Sequence, residues 1–336
     1  MTKGLDNQKK KRLLKAIAAF VIAAAAFVFL FFAYEVNSFH TQSYKESEAN
    51  LIKMIAAREL GKFPSILIDE DYLTLESMSI YENEMTNLRP LAKLKNLKKI
   101  VFYINAGSEI DFRPLAKFDK LKTLEIRTPN FIEGYSFLKF PIIKKEHWYG
   151  QIFSFFKKLK PAKSGPRSFN PGKLRELKQL ESLAIYGFVL DNIDALANLI
   201  NLKSLTFDNY PVISMSNKIF GEIKFPEEPV DMSPLANLTK LQYLNITNLI
   251  AGDYGFLKKL TQLKELEVIN NQIGDMNDLA GLTNLEYLDL SDIKVEDVSV
   301  LKKLTGLKSL KLRKSSLSEK EIAELKEALP ELTIKK

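Results

Sequence analysis

Few residues of this chain have the type and spacing that chemistry requires. The 336 residues include no cysteine, which excludes disulfides, thiolate metal sites, a cysteine nucleophile and a lipid-modified cysteine. The two histidines, His40 and His147, lie far apart and outside any metal-ligand spacing. The phosphate-binding, dinucleotide-binding, serine-hydrolase and zinc-protease motifs are all missing from the sequence. We therefore predict that the protein is not an enzyme and has no catalytic residue, metal or cofactor.

The charge distribution argues against nucleic acid as a partner. The net charge is +8, of which residues 1–35 carry +4 and residues 139–173 carry +8, so the rest of the chain carries −4. A nucleic-acid-binding repeat protein would carry a basic stripe along its repeats. The positive charge is instead confined to two short segments.

The first basic segment precedes a predicted membrane anchor. Residues 16–34, AIAAFVIAAAAFVFLFFAY, carry no charge and as a helix would span about 28 Å, close to the hydrocarbon thickness of a bilayer. Five basic residues lie just before them, which by the positive-inside rule predicts a cytoplasmic N-terminus and periplasmic or extracellular repeats. A cleaved signal peptide is the alternative, but its apolar core is about 7–15 residues. The expectation is a single-pass protein of the cytoplasmic (inner) membrane.

Beyond residue 74 an apolar pattern recurs nine times. The first copy is Leu75-x2-Met78-x-Ile80 and the last is Leu307-x2-Leu310-x-Leu312, and uninterrupted copies are 22 or, once, 24 residues apart. Alternating apolar residues predict strands with one buried face, which stacked neighbours must cover. The second half of a repeat, such as residues 273–284, has apolar residues three apart and predicts short 3₁₀ turns on the convex side.

Two stretches, NQIGDMNDLAGLTNLEYLDLSD and DMSPLANLTKLQYLNI, resemble the short repeats of bacterial internalin-like proteins, also called the SDS22-like class. The resemblance covers about residues 75–317. It implies an α/β solenoid, a leucine-rich-repeat horseshoe with a parallel concave sheet that commonly binds a partner. The chain departs from the family pattern where the asparagine ladder is interrupted, at Phe188, Tyr210, Leu249 and Ile293.

Capping helices are predicted at both ends of the repeats. Residues 41–60 carry an apolar helical face with Gly61 placed to end the helix, and SILI (65–68) is predicted as an edge strand. At the other end Ser318 and Glu321 form a capping box before Ile322 and Leu325, and TIKK closes the sheet. The predicted organisation is a basic cytoplasmic segment (1–15), a transmembrane anchor (16–34), a linker with the N-terminal cap (35–74), repeats (75–317) with insertions at 139–173 and 211–230, and a C-terminal cap (318–336).

The repeat register predicts which side chains form the concave face. Tyrosines among polar groups are typical of recognition surfaces, although an ordinary solvated sheet face remains the alternative. The predicted partner-binding residues are Tyr81, Tyr103, Arg127, Tyr186, Asp208, Tyr243, Glu265, Glu267, Tyr287, Asp289 and Asp292.

The second basic segment lies inside an insertion of the third repeat. Leu121 and Leu180 are 59 residues apart where 22 are expected. Within the insertion apolar residues follow one helical face flanked by lysines, a pattern typical of an interfacial membrane helix, and a lid on the solenoid is the alternative. The predicted contact residues, within 144–160, are Trp148, Ile152, Phe155, Phe156, Lys157 and Lys158.

Three hypotheses of function follow. The first is a membrane-tethered binding protein that recognises a protein or peptide on its concave face, with an immunity-type inhibitor as a narrower version. The second is an envelope scaffold that contacts membrane or cell wall through the basic aromatic insertion. The third and weakest is an enzyme of another type.

Overall fold

Residues 51–336 form one unit built from the nine repeats and their two caps. The structure is a computed structural model, and it describes residues 47–62, 64–82, 85, 87–104, 108–128, 168–190, 192–209, 229–249, 251, 253–295, 297–314 and 317–336. A second unit, residues 1–50, is described only at residues 47–50.

The repeats pair into one parallel sheet of ten strands. Each repeat contributes a short strand because its apolar residues alternate, so that one face can be buried while the other stays exposed. The repeat strands, in chain order, are β1 (Ser77–Tyr81), β2 (Lys99–Tyr103), β3 (Thr123–Arg127), β5 (Ser182–Tyr186), β7 (Ser204–Asp208), β8 (Tyr243–Thr247), β9 (Glu265–Ile269), β10 (Tyr287–Asp289) and β11 (Ser309–Lys311), with β12 (Thr333–Lys335) at the end. Nine repeat strands and a closing strand from TIKK agree with the prediction from the sequence.

The core lies behind this sheet and is filled by the repeat leucines. The inward residues of each strand, such as Leu244 and Ile246 of β8, are fully buried. Burying such a side chain stabilises the fold by about 1.5–3 kcal/mol relative to its exposed state. Phe188, Leu249 and Ile293, which stand where the family pattern has asparagine, are also buried and extend this core.

On the other side of the core the chain forms 3₁₀ turns, as the three-residue spacing predicts. They are Arg89–Lys93, Arg113–Lys117, Pro171–Leu174, Asp194–Asn198, Ser233–Asn237, Gly255–Lys259, Met276–Leu279 and Leu301–Lys303. Before each turn an aspartate or asparagine accepts a hydrogen bond from the backbone N–H two residues on; these residues are Asn87, Asp111, Asn170, Asn192, Asp231, Asp253, Asp275 and Asp297. This Asx bond supplies an acceptor for an N–H that the short turn cannot pair internally.

The N-terminal cap differs from its prediction in one element. Helix α1 (Ser47–Leu60) ends at Gly61, whose φ of 64° suits glycine, and a 3₁₀ turn (Pro64–Ile66) and helix α2 (Asp69–Thr74) follow. The predicted edge strand at 65–68 is therefore wrong. Its place beside β1 is taken by α1, where Glu59 accepts from the Ser79 N–H at 3.1 Å and Arg58 donates to the Ser79 carbonyl at 2.5 Å. These two side chains pair the edge of β1 as a neighbouring strand would.

The C-terminal cap confirms its prediction. Helix α3 (Glu319–Ala328) starts at Ser318, whose hydroxyl accepts from the Glu321 N–H at 3.3 Å while the Glu321 carboxylate accepts from the Ser318 N–H at 2.7 Å. Ile322 and Leu325 are buried against the last repeat. The capping box and the apolar stripe together fix the helix over the end of the core.

The insertions leave the sheet register unchanged. Thr123 of β3 pairs with Ser182 of β5 across the long gap, and all five residues of both strands stay in register. Residues 168–173, the last part of the predicted insertion, belong to the solenoid: β4 (Ser168–Phe169) pairs with β6 (Val189–Leu190), and Phe169 packs on Phe112 and Phe188. The predicted membrane-contacting residues Trp148, Ile152, Phe155, Phe156, Lys157 and Lys158 lie outside the described residues.

The predicted anchor over 16–34 also lies outside the described part of the chain. Among the helices that the structure does describe, none combines the length and apolar character needed to cross a bilayer.

Candidate functional site

The parallel register arranges the outward side chains of the sheet in three rows, which we call the sheet face. The first row is Ser77, Lys99, Thr123, Ser182, Ser204, Tyr243, Glu265, Tyr287, Ser309 and Thr333. The middle row is Ser79, Val101, Glu125, Ala184, Thr206, Asn245, Glu267, Asp289, Lys311 and Lys335. The third row is Tyr81, Tyr103, Arg127, Tyr186, Asp208, Thr247 and Ile269.

The first four repeats carry stacked tyrosines and arginines in the third row. The rings of Tyr81 and Tyr103 are parallel within 12°, with centroids 4.7 Å apart. The Arg58 guanidinium lies 5.5 Å from the Tyr81 centroid, and that of Arg127 lies 4.7 Å from the Tyr186 centroid. Both distances fall within the range of cation–π attraction. The sequence predicted four of these residues at one repeat position but missed Arg58, which reaches the row from the capping helix.

Glu125 in the middle row of the same half is neutralised by cations. Arg127 donates to one carboxylate oxygen through Nε at 3.1 Å and Nη2 at 2.7 Å, and Lys99 forms a second ion pair. Burial would raise the pKa of Glu125, but the hydrogen bonds from Lys99 and Arg127 outweigh it and hold the pKa below its ordinary value. The carboxylate is therefore charged and fully compensated within the fold.

Strands β8–β10 carry a second arrangement, which we call the tyrosine–carboxylate slot and define as Tyr243, Asn245, Glu267, Tyr287 and Asp289. Asn245 donates through Nδ2 to Glu267 at 2.5 Å and to the Tyr243 hydroxyl at 3.4 Å. The Tyr287 hydroxyl donates to Asp289 at 3.3 Å. Each tyrosine is thus tied to the residue two positions on in its own strand, which places both hydroxyls in the middle row, where Glu267 lies.

Glu267 differs from Glu125 because no described lysine or arginine lies within ion-pair distance of it. Burial raises the pKa of Glu267, and the charges of Asp289 and Glu265 add to the effect, while Lys311 and the Asn245 hydrogen bond oppose it. Within the described residues Glu267 makes no ion pair. A half-buried carboxylate that lacks a counter-charge favours a cation from outside the chain.

Asp289 is more buried than Glu267 and already has partners. Its side chain is 4% exposed, accepts from the Ser291 N–H at 3.0 Å and lies 3.5 Å from the Lys311 ammonium. Lys311 also lies 5.2 Å from the Tyr287 ring centroid. Asp289 therefore adds negative charge to the slot from a buried position.

Two further predicted residues stand apart from the slot. Glu265 is an exposed first-row residue between Tyr243 and Tyr287. Asp292 follows β10 with a φ of 60° and pairs with Lys314 at 2.7 Å, so its charge is compensated away from the sheet face. The reading of the sequence missed Asn245 and Glu125, although both could have been found by continuing the middle row of the register.

No described part of the chain brings together three or more histidine, aspartate or glutamate residues that could hold a metal ion. A cleft of about 370 Å³ between the turns of repeats two and three is lined by Glu109, Ile110, Asp111, Arg113, Gly172, Lys173, Arg175 and Glu176. Two of these charges pair with each other, since Arg113 Nε lies 2.9 Å from Asp111. The six charged residues of the lining are three acidic and three basic, so the cleft has no net charge to attract a charged ligand.

The parallel sheet, the 22-residue register and the 3₁₀ turns define the protein as a leucine-rich-repeat solenoid. Its fold is of the internalin type, because it aligns with the crystal structure of internalin C2 from Listeria monocytogenes str. 4b F2365. That alignment has a TM-score of 0.51 at 22% identity and covers 78% of this chain and 92% of the internalin.

Two further structures align with lower TM-scores. Internalin F of the same strain gives 0.37 at 20% identity, covering 85% of this chain and 94% of the other. A leucine-rich-repeat protein of Leptospira interrogans gives 0.32 at 17% identity, covering 80% and 97%. No protein-family model and no curated protein matches the sequence.

Proposed function

We propose that this protein is a membrane-tethered, extracytoplasmic binding protein that recognises a protein or peptide partner on its sheet face. A leucine-rich-repeat solenoid commonly presents this face to a partner. One observation carries the proposal. Glu267 is a half-buried carboxylate that makes no ion pair within the described residues, and the hydroxyls of Tyr243 and Tyr287 hydrogen-bond to the middle-row residues on either side of it, Asn245 and Asp289.

The location rests on the sequence. The apolar run over 16–34 and the basic residues before it favour an uncleaved anchor with the repeats outside the cytoplasm. Protease added to intact cells or spheroplasts should then degrade the repeats. Protection in intact cells together with loss after lysis would reverse the proposed orientation.

The partner-binding proposal is tested by reversing the charge of the sheet face. The full-length chain, extracted in detergent, is used to capture partners before and after the double change Glu267→Lys with Asp289→Lys. The matched control, Glu327→Lys with Glu331→Lys, changes the net charge equally at exposed positions of the C-terminal cap. We expect the first pair to abolish capture of the specific partner and the control to retain it. Equal capture by both variants would refute sheet-face recognition.

A second candidate is the envelope scaffold that contacts a bilayer. It is favoured by three exposed apolar residues close in sequence in the N-terminal cap, Ile66, Ile68 and Leu73, at 60%, 59% and 49% exposure. Changing all three to serine should release a protein that lacks residues 1–35 from vesicles without affecting partner capture. If the variant still associates with vesicles, the N-terminal cap does not contact the membrane.

A further inference from the structure

We propose that the tyrosine–carboxylate slot seats one guanidinium group, carried by an arginine of a polypeptide partner. The proposal deepens the binding function proposed above and rests on it. It assigns one kind of occupant to the sheet face of β8–β10, selected by its positive charge and its planar shape.

The fold itself contains a template for this interaction. In the first half of the sheet a guanidinium, that of Arg127, contacts the Glu125 carboxylate through two nitrogens and stands 4.7 Å from the Tyr186 ring. Glu125 belongs to the middle row, and Tyr186 is one strand away. Glu267 belongs to the same row and has tyrosines on the strands to either side, Tyr243 and Tyr287, which are first-row residues whereas Tyr186 is in the third row. The slot therefore combines a carboxylate with tyrosines as the template does, but no described cation is paired with Glu267.

A second cation in the fold marks the same preference. Lys311 stands 5.2 Å from the Tyr287 ring and 3.5 Å from Asp289, so a cation already uses the outer side of this tyrosine–carboxylate pair. Lys311 lies on β11, whereas Glu267 lies on β9, on the other side of Tyr287 and Asp289. On the Glu267 side no described cation forms an ion pair.

The spacing of the slot suits a flat group. Neighbouring strands are about 4.8 Å apart, so the tyrosines of β8 and β10 start about 10 Å apart. A planar guanidinium needs about 3.5 Å above a ring face, and Glu265, which lies between the two tyrosines in the first row, adds a second carboxylate near it. The bonds to Asn245 and Asp289 hold the two phenol hydroxyls in the middle row, where Glu267 lies. An anion would be repelled by Glu267 and Asp289, and a neutral group would leave Glu267 without a counter-charge.

The test uses N-acetyl-arginine amide as the probe on the full-length chain in detergent, with ¹³C-labelled tyrosine rings read by NMR. N-acetyl-citrulline amide is the neutral isostere, and N-acetyl-lysine amide carries the other cation. We expect the arginine probe to shift the Tyr243 and Tyr287 signals with a Kd of about 1–10 mM, assigned by tyrosine-to-phenylalanine variants. We expect no saturable shift with citrulline and weaker binding with lysine, because ammonium cannot contact a carboxylate through two nitrogens.

Three variants separate the slot from general attraction to acidic protein. Glu267→Gln keeps the shape and should weaken the arginine probe about tenfold, since it removes one charge-assisted contact. Lys311→Gln removes a competing cation and should tighten the probe about threefold, again by one charge contact. Glu327→Gln, at an exposed position of the C-terminal cap, should leave the probe unchanged. A loss at Glu267 together with a gain at Lys311 is not expected from a merely structural change.

Each contrary result overturns a defined part of the proposal. Citrulline binding as well as arginine would remove the charge requirement, and lysine binding more tightly would make the slot an ammonium site. If the double charge reversal abolishes partner capture but arginine amide does not bind, sheet-face recognition stands and the slot proposal fails. If arginine amide binds but partner capture is unaffected by the charge reversal, the proposed function fails.

Discussion

Replacing Asn271 by alanine should destabilise the repeats far more than the same change at Asn284. Asn271 is 9% exposed, and its Nδ2 donates to the carbonyls of Ile246 and Ile269, both at 2.8 Å. It is the asparagine that the family pattern expects, standing between two repeats that carry buried Leu249 and Ile293 instead. Asn284 also donates one bond, to Thr261 O at 2.8 Å, but from an exposed side chain.

The magnitude follows from the number and burial of the bonds. A buried hydrogen bond contributes about 1 kcal/mol net, so the two bonds of Asn271 contribute about 2 kcal/mol. Ile269 O keeps a second donor, the Asn248 N–H at 3.0 Å, so loss of the Asn271 amide does not leave that carbonyl unpaired. For a unit of this size the melting temperature should fall by about 3 °C. Asn284→Ala should change the free energy of unfolding by less than about 0.5 kcal/mol.

The assay is thermal unfolding followed by circular dichroism, with Asn271→Leu as a second variant. Leucine supplies apolar volume of the kind found at 249 and 293 but cannot donate, so it should stay less stable than the parent. The reasoning is refuted if Asn271→Ala and Asn284→Ala lower the melting temperature equally. It is refuted as well if Asn271→Leu is as stable as the parent chain.

Three other predictions concern single positions. Gly187→Ala should destabilise by at least about 2 kcal/mol in denaturant unfolding, because φ is 78° and the new Cβ would lie 2.3 Å from Thr128 Oγ1; Thr128→Ala should restore only part of the loss, and full restoration would mean that φ is not strained. Tyr254→Phe should be neutral or stabilising by about 1 kcal/mol, because within the described residues this buried hydroxyl makes no hydrogen bond, and a clear loss of stability would indicate a partner. In a ¹³C NMR titration the pKa of Glu267 should lie above 4.5 and that of Glu125 below it. Lowering the pH through the folded pKa of Glu267 should raise the free energy of unfolding, whereas lowering it through the folded pKa of Glu125 should reduce it. The reverse order of the two pKa values would contradict the assigned ion pairs.

Apolar periodicity was enough to predict the repeat strands and the turns behind them. A strand with one buried face and a turn with apolar residues three apart leave different spacings, and nine copies fix the register. The C-terminal cap could be predicted because Ser318 and Glu321 satisfy each other locally, without help from distant residues.

Prediction from the sequence was wrong or incomplete where side chains far apart in the sequence determine the structure. SILI (65–68) alternates like a strand, but the edge of β1 was already paired by Arg58 and Glu59 of the preceding helix. The leucine register did not predict the Asx residues before the turns, although Asp253, Asp275 and Asp297 recur at the same 22-residue spacing.

The sheet face shows the same division. The row of each outward residue follows from the register alone, so Tyr81, Tyr103, Arg127 and Tyr186 were correctly aligned. Whether a carboxylate is compensated depends on three-dimensional neighbours. Glu125 and Glu267 occupy the same row, and only the ion pairs of Glu125 distinguish them. Binding by these residues stays a prediction.

The pairing of β3 with β5 is unbroken, so the insertion between them in the sequence does not change how the two strands lie in the sheet. Thr123 and Arg127 pair with Ser182 and Tyr186 as directly as in repeats that have no insertion. A loop inserted at this point therefore alters neither the strand order nor the position of the sheet face. The sequence of the inserted segment can therefore change while the repeats on either side keep their structure. Exchanging residues 129–167 for an unrelated loop should consequently leave the other repeats and the tyrosine–carboxylate slot as they are.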